Sequence, residues 1–252
     1  IELKENSQPY CIYTARSIPL AYRKQVKDEL DNMERKGIIE KVGDRCIAWC
    51  HPLCAFPKPG GGIRVTTDLS KLNSQVKRMI HNSRTPADVM ASRPTGLKYF
   101  ACLDAKSGYW QVPLDEESSD LTTFLTPWGR YRYLRSPMGF ISSGDSYNLR
   151  GDTALEGVEN AAKVVDDILV ENKTLIEHYD DVVEVLERCR KFSITLNPKK
   201  FAFAESRVKF AGFVVSREGT EADPEKVRAL SEFPKPSNIT DLRSFLGVVN
   251  QL

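Results

Sequence analysis

Two adjacent carboxylates inside an apolar run constrain most strongly how this chain folds. Residues 164–170 read Val-Val-Asp-Asp-Ile-Leu-Val, so Asp166 and Asp167 interrupt a segment that otherwise favours burial. Buried carboxylates need partners, and a divalent cation is one, since Mg²⁺ prefers oxygen ligands and leaves room for phosphates. The alternative is an exposed hairpin turn, a common place for Asp. The run alone leaves both interpretations open.

A second carboxylate ends another apolar run. The segment Tyr-Phe-Ala-Cys-Leu-Asp ends at Asp104 and reads as a strand. Two strand-end carboxylate sites can converge, and such a cluster can hold two metal ions that activate a hydroxyl and stabilise a leaving pyrophosphate. The pair of motifs therefore points to nucleotidyl transfer.

The pattern of apolar residues predicts a mixture of helices and strands. An amphipathic helix is expected from Pro19 to Lys36, followed by a β-hairpin with strands at 47–56 and 63–67. Further predicted elements are a strand at Lys98–Leu103, a helix at Ser142–Leu155, two strands within Lys163–Val170, a helix at about 174–192, strands at Ile194–Leu196 and within Val208–Val215, a linker or turn at Phe233–Ser237 and a helix from Thr240. Because helices and strands do not alternate regularly, the predicted fold class is α+β.

Chain length and charge distribution constrain the number of domains and the type of ligand less tightly. With 252 residues, 41% of them apolar, the chain can form one large domain or two small ones. Residues 1–100 hold 17 basic against 10 acidic residues, and residues 101–252 hold 19 against 24. Such asymmetry is compatible with one part contacting phosphates and another holding cations, although it is also common on solvated surfaces. No apolar run approaches the length that spans a bilayer and no secretory signal is visible, so the expected setting is intracellular.

The six cysteines are predicted to be free thiols. Cys46, Cys50, His51 and Cys54 resemble a zinc-binding cluster, but they crowd into nine residues and lack paired C-x-x-C spacing. Their even spacing instead predicts that the cysteines line one face of a strand through 47–56. No metal is expected there.

Several stretches together resemble the reverse transcriptase of gypsy-type LTR retrotransposons and their retroviral relatives. The stretches are Arg16–Leu20, Met33–Lys41, Ile63–Asn73, Leu103–Gln111, Leu121–Tyr131, Ser136–Gly139 and Val165–Leu169. Each motif is modest alone, but their order and spacing are specific, and they extend over nearly the whole chain. The resemblance implies a right-hand polymerase whose antiparallel palm sheet packs on helices. The implied fingers are residues 1–96 and 114–135, the palm 97–113 and 136–214, and the truncated thumb or connection 215–252.

The resemblance also implies the catalytic residues and their cofactor. Asp104, Asp166 and Asp167 match the family's catalytic aspartates, with the first two as direct ligands of two Mg²⁺ ions and the third as an electrostatic supporter. The backbone carbonyl of Ala105 is implied as a further ligand, and Mn²⁺ as a substitute ion.

A second implied set binds the incoming dNTP. Lys58 and Arg64 match finger residues that grip the triphosphate, with a solvated basic hairpin tip as the alternative. Tyr109 matches the ring that excludes a 2′-hydroxyl, with an ordinary core tyrosine as the alternative. The remaining implied residues are Lys106, Ser107, Gly108, Met138 and Gly139.

Four positions are implied at the primer and the leaving group. Val165, Phe210 and Gly212 match primer or template contacts, with Gly212 allowing close approach of a sugar-phosphate chain. Lys199 lies where the family offers a lysine that protonates pyrophosphate, although Lys200 is adjacent and a surface lysine is the commoner explanation.

Two positions depart from the family pattern. Val164 stands where the family usually has Tyr or Phe, and the helix after Gly139 begins Ser-Gly-Asp-Ser-Tyr at 143–147 instead of with an Ala-Pro pair and Phe. The extra carboxylate at Asp145 is expected to alter template contacts.

The expected function is RNA-directed DNA synthesis on an RNA or DNA template-primer. The expected partners are template-primer, dNTPs, and the RNase H and integrase regions of a retrotransposon Pol polyprotein, in cytoplasmic virus-like particles and without a membrane. The alternatives are a decayed relic that only binds nucleic acid or proteins, and an RNA-templated RNA polymerase, which the ring at Tyr109 disfavours.

Overall fold

The computed structural model describes residues 1–58 and 61–249. Within them, eight α-helices are formed: α1 Leu20–Arg35, α2 Ser70–Gln75, α3 Pro86–Ala91, α4 Glu116–Leu121, α5 Ser143–Leu155, α6 Leu175–Lys191, α7 Pro224–Ser231 and α8 Ile239–Val249. The strands are β1 Ile39–Lys41, β2 His51–Pro57, β3 Ile63–Thr67, β4 Tyr99–Asp104, β5 Phe124–Thr126, β6 Gly129–Tyr133, β7 Ala161–Val164, β8 Asp167–Asn172, β9 Ala202–Glu205, β10 Arg207–Phe210, β11 Phe213–Ser216 and β12 Gly219–Ala222. The predicted α+β class is confirmed.

The chain divides into two compact units, and each is built from separate stretches. The first unit comprises residues 1–82 and 107–149, and the second comprises residues 83–106 and 150–252. The fingers, palm and thumb ranges stay a prediction, since this division follows compactness alone. None of the helices in the described residues has both the length and the apolar character needed to cross a membrane.

The first unit is a five-stranded sheet covered by α1. Its strand order is β1-β6-β5-β2-β3, in which β2 and β5 are parallel and the other neighbours antiparallel. Val26, Leu30 and Met33 recur at helical spacing on α1 and are buried against the sheet. Gly37, at φ +63°, follows the helix in the left-handed conformation that commonly ends a helix.

The second unit is built on an antiparallel sheet of order β7-β8-β4-β9. Its central strands are buried on both faces. Leu103 and Ile168 pack with the helical residues Val182 and Val185, whereas neighbours such as Leu169 pack in a second core with the β10–β11–β12 sheet. A capping box formed by Thr174 and Glu177 begins α6.

Two predicted strands and the predicted orientation of the cysteines are wrong in detail. The strand predicted from residue 47 begins at His51, because Cys50 instead forms an isolated parallel bridge with Cys11. Cys46 lies exposed before that strand, so the cysteines do not share one strand face. Residues 194–196 form only an isolated bridge between Leu196 and Ala105, because the chain turns into a short 3-10 helix at Pro198.

Candidate active site

Register places two of the predicted catalytic carboxylates side by side. In the antiparallel pair of β4 and β8, Asp104 lies directly opposite Asp167. Residues directly opposite in such a pair carry neighbouring side chains on one face. Asp166 lies in the two-residue turn that joins β7 to β8, and its carbonyl accepts the Ala105 N–H at 2.7 Å. The three aspartates and Ala105 are thus brought together in the second unit.

The turn of the β7–β8 hairpin is strained. Val165 has φ +52° and its side chain is 44% exposed. A β-branched residue in the left-handed region is a true outlier, because its Cβ crowds the backbone. Strain of this kind tends to be retained at functional sites. The strained residue immediately precedes Asp166.

Lys200 reaches the carboxylates. Its ammonium donates to Asp104 Oδ1 at 2.7 Å, and this pairing raises the pKa of Lys200. The preceding Lys199 is exposed, and its backbone N–H donates to the Asn197 side chain at 3.2 Å. The structure therefore brings Lys200, and not the predicted Lys199, to the site. Consecutive residues in a 3-10 helix point in different directions, which sequence alone did not resolve.

Burial and neighbouring charge act on Asp167. Burial is the largest influence and raises the pKa of this carboxyl, and the charges of Asp104 and Asp166 raise it further. The N–H of Ala211, 3.2 Å from Asp167 Oδ2, opposes the shift. The three carboxylates concentrate negative charge, and a cation would relieve it.

The predicted primer hairpin lies against this cluster. Ala211 and Gly212, at φ +47° and +88°, form the two-residue turn between β10 and β11, with Phe210 paired to Phe213. A cavity of about 620 Å³ lies beside the hairpin, lined by residues that include Cys102, Asp104, Asp167, Lys200 and Gly212. Burial and the two carboxylates raise the pKa of Cys102 to about 12.

Val164 is part of the protein core. It is buried in the same core cluster as Val208 and Phe210. This position, where the family usually has an aromatic ring, therefore contributes packing.

The carboxylates of Asp104, Asp166 and Asp167 offer only oxygen donors, which a hard divalent cation prefers. Nevertheless, among residues 1–58 and 61–249, no group of three or more His, Cys, Asp and Glu side chains is arranged to hold a metal ion. The chemistry of the donors fits Mg²⁺, although their present grouping is not a closed coordination shell.

In the first unit, the β2–β3 hairpin carries the predicted phosphate-binding residues. Lys58 and Arg64 are both exposed, and Arg64 lies opposite Phe56 in the ladder. Lys58 N–H donates to the Gly62 carbonyl at 3.0 Å, which closes the hairpin. Pro59 and Gly60, predicted as part of the turn, lie outside the described residues.

Tyr109 lies in a short 3-10 turn at Gly108–Gln111. Its ring meets the ring of buried Tyr147 edge-on, with centroids 5.9 Å apart and planes at 77°. A Cβ on Gly144 would lie 3.7 Å from the Tyr109 hydroxyl. The turn begins after Ser107, which has φ +55°. Lys106 belongs to the second unit, and its N–H donates to the Thr195 carbonyl at 2.9 Å.

The Met138–Gly139 loop is held by a residue that the sequence reading did not single out. Asn73 donates to the Gly139 carbonyl at 2.8 Å and accepts the N–H of Ile141 at 2.9 Å. Gly139 has φ +90°, and Met138 is partly exposed. Asn73 ends the stretch 63–73 that resembles the family, but a contact this distant in sequence leaves no local signal.

Asp145, the extra carboxylate, anchors a neighbouring segment of the first unit. It pairs with Arg78 at 3.2 Å and accepts the N–H of His81 at 3.2 Å. Asp145 therefore links residues 78–81 to α5.

Comparison with known proteins agrees with this geometry. The family model described as "Reverse transcriptase (RNA-dependent DNA polymerase)" matches residues 56–215. The chain is 30% identical to the retrovirus-related Pol polyprotein from transposon opus of Drosophila melanogaster, over 99% of this chain and 25% of that protein. It is 31% identical to the Pol polyprotein from transposon gypsy of the same species, over 78% of this chain and 19% of that protein. The chain thus spans a quarter or less of these relatives.

Solved structures show the same fold. The foamy viral protease-reverse transcriptase in complex with RNA/DNA hybrid matches with a TM-score of 0.83 at 20% identity, over 99% of this chain and 32% of that chain. A related foamy viral structure in complex with double-stranded DNA also gives 0.83, at 21% identity, over 98% of this chain and 43% of that chain. The resemblance and the polymerase fold predicted from the sequence are confirmed.

Proposed function

Because the chain belongs to the reverse transcriptase family, we propose that it catalyses RNA-directed DNA synthesis, adding dNTPs to a primer on an RNA or DNA template. The observation that carries this proposal is the juxtaposition of Asp104 with Asp167 on adjacent strands, with Asp166 in the neighbouring turn. A structural sheet gains nothing from three carboxylates at one place, since they repel one another and resist burial.

In this proposal, Asp104 and Asp166 bind two divalent cations, Mg²⁺ or Mn²⁺, with the carbonyl of Ala105 as an additional ligand. The ions would supply stabilisation of the attacking and leaving oxygens. Asp167 supports the site electrostatically, which agrees with its bond to the Ala211 N–H. Lys200 replaces Lys199 as the proposed proton donor to pyrophosphate, because its ammonium lies at the carboxylates.

The remaining residues hold the substrates. Lys58 and Arg64 are exposed on one hairpin, and we assign them to the triphosphate, Arg as a planar fork and Lys as a point charge. Tyr109 excludes a 2′-hydroxyl. Lys106, Ser107, Gly108, Met138 and Gly139 complete the proposed nucleotide site, while Val165, Phe210 and Gly212 face the primer and template.

The names of the relatives, which are Pol polyproteins, support a polyprotein setting. We propose that the domain works within a Pol polyprotein beside RNase H and integrase regions, in cytoplasmic virus-like particles. Immunogold labelling of particles from cells that express the element would test this location, and label confined outside particles would contradict it.

The central test is primer extension on an RNA template with dNTPs and Mg²⁺. Asp166→Asn is expected to reduce extension at least about a hundredfold, because it removes a charge that acts on the transition state. Asp180→Asn is the matched control, since Asp180 is an exposed carboxylate on α6. If the wild-type chain binds template-primer but extends nothing, the decayed-relic alternative is favoured.

A further inference from the structure

Three cysteines of the first unit contribute to one cavity. Cys11, Cys46 and Cys50 are among the residues that line a cavity of about 640 Å³. Cys46 is exposed, Cys11 is half-buried and Cys50 is only 2% exposed. The proposed polymerase function assigns no role to these thiols.

The backbone holds Cys11 directly beside Cys50. The two residues form an isolated parallel bridge, in which the Cys50 N–H donates to the Tyr10 carbonyl at 2.8 Å and the Ile12 N–H donates to the Cys50 carbonyl at 3.1 Å. Neighbouring strands lie about 4.7–4.9 Å apart. A disulfide needs a separation of about 4.4–6.8 Å between its two Cα atoms. The backbone spacing of this bridge therefore suits a disulfide.

The two side chains also meet. The Cys11 side chain hydrogen-bonds to the Cys50 thiol. Side chains in such contact point toward each other, which is the second geometric requirement for a disulfide. Both requirements are thus met by one pair of residues.

The two thiols differ in reactivity. Burial raises the pKa of Cys50 to about 11, and the positive charge of Arg130 opposes this shift. A buried thiol of this kind reacts slowly with a dissolved oxidant, whereas a partly exposed thiol is accessible to one. Half-buried Cys11 is therefore the point of attack, and Cys50 is placed to react with the oxidised Cys11.

We propose that Cys11 and Cys50 form a thiol oxidation site whose product is an intramolecular disulfide. Hydrogen peroxide first oxidises the Cys11 thiol to a sulfenic acid, and one water is released. The Cys50 sulfur then attacks the sulfenic sulfur, so the S–S bond forms and the S–O bond breaks. The hydroxyl leaves with the Cys50 proton as a second water. Together the two thiols lose two hydrogens and two electrons, and one peroxide is reduced to two waters.

The disulfide closes a loop around the first elements of the unit. It joins a residue that precedes α1 to the residue immediately before β2, so the loop contains α1 and β1. Because Cys11 is half-buried, a small thiol reductant can reach the bond and reverse the modification by exchange.

The first test is peptide mapping of the native 252-residue chain after graded treatment with hydrogen peroxide. Free thiols are alkylated before digestion, and the peptides are identified by mass spectrometry. The peptides of Cys11 and Cys50 are expected to be joined, and dithiothreitol is expected to separate them. Exposed Cys46 reports on the dose, because its oxidation shows that the oxidant was effective. A Cys50 that stays a thiol once Cys46 is fully oxidised, or that pairs with Cys46, overturns the proposal.

The second test compares two variants at one peroxide dose. Cys46→Ser should form the disulfide as completely as wild type, because Cys46 takes no part in it. Cys11→Ser should leave Cys50 a thiol, as Cys189 should remain in all three proteins, since Cys189 is a buried cysteine of the second unit. Thermal unfolding of the variants shows whether their fold is intact. If Cys50 is oxidised in a folded Cys11→Ser variant as fast as in wild type, the proposed pairing is wrong.

These tests do not use primer extension. Failure of the polymerase proposal would therefore leave the oxidation site standing, and failure of the oxidation site would leave the polymerase proposal standing.

Discussion

Single contacts decide how the proposed nucleotide site is shaped. The four-residue turn that contains Tyr109 does little to fix the orientation of its ring. The ring contacts the Tyr147 ring, and its hydroxyl lies near Gly144, which has no side chain. Edge-to-face aromatic pairs contribute about 0.5–1.5 kcal/mol beyond burial. The orientation of the proposed sugar-excluding ring therefore depends on a residue 38 positions away in the sequence.

Replacing Tyr147 with Leu is expected to loosen this selection. Loss of the ring contact should lower the preference for dNTP over rNTP by roughly 2- to 10-fold, which is the rate ratio that corresponds to the energy of one aromatic pair. The measurement is kcat/KM for a matched dNTP and rNTP in single-nucleotide extension. Tyr147→Phe keeps the edge-to-face contact and should keep the preference. An unchanged ratio in the Leu variant would show that Tyr147 does not position Tyr109.

At the scale of elements, two hairpin turns determine the positions of the proposed catalytic groups. The β7–β8 turn presents Asp166, and the β10–β11 turn presents an N–H to Asp167. Both use residues with positive φ, but only the second contains glycine. The first turn therefore carries a conformational cost that its sequence does not relieve.

Val165→Asn should stabilise the second unit. Asn tolerates the left-handed region, whereas a β-branched residue there costs about 1–2 kcal/mol. We expect a gain of about 1 kcal/mol in the free energy of unfolding by urea. Val165→Ala serves as the control, because Ala shares most of the left-handed penalty. Equal stability of the Asn and Ala variants would mean that strain at residue 165 is negligible.

Elements with strong periodicity were predicted well from sequence. The apolar stripe of α1 predicts that helix within about two residues of its ends, and the helix predicted at about 174–192 agrees equally well with α6, which is within the usual uncertainty of helix ends. Failures arose where a long-range contact overrides local preference. Cys50 leaves its predicted strand to pair with Cys11, and Leu196 meets Ala105 only as an isolated bridge.

The candidate site also has features that were predictable from sequence and features that were not. The three aspartates and the two hairpins were predictable, because each has a local motif. The choice of Lys200 over Lys199 and the anchoring of the 138–139 loop by Asn73 depend on side-chain direction and on distant packing. Neither leaves a periodic pattern in the sequence.

At the scale of the whole molecule, the chain passes between its two units three times, after residues 82, 106 and 149. Neither unit is a continuous segment, and each has its own buried cores. One passage lies two residues after Asp104, and another lies within α5. A break after residue 106 would therefore divide both units, whereas a break after residue 82 or 149 would divide only one of them.

Each unit also buries one histidine, and this makes stability depend on pH. Burial lowers the pKa of His51 in the first unit and of His178 in the second, in both cases below the ordinary value of 6.5. The unfolded chain then binds more protons than the folded chain below that value. Stability from the neutral rings is complete above pH 6.5 and declines as pH falls toward the folded-state values.

The check is the free energy of unfolding measured between pH 7.5 and 5. Wild type is expected to lose stability on acidification, and the variants His51→Gln and His178→Gln should each lose less of it over that range. Burial raises the pKa of Glu171, so this acid has the opposite effect on stability as the pH falls. Subtracting the stability of each variant from that of wild type at the same pH removes this contribution. Parallel pH profiles for all three proteins would contradict the assignment.

The register of β4 against β8 has a consequence for changes in chain length. Asp104 faces Asp167 only while each strand keeps its number of residues. Since successive side chains alternate between faces, deleting one residue within Tyr99–Asp104 or Asp167–Asn172 would turn a carboxylate to the opposite side of the sheet. Spacing in these strands is therefore as restrictive as residue identity, whereas the irregular segment 233–237 between α7 and α8 can accept insertions and deletions.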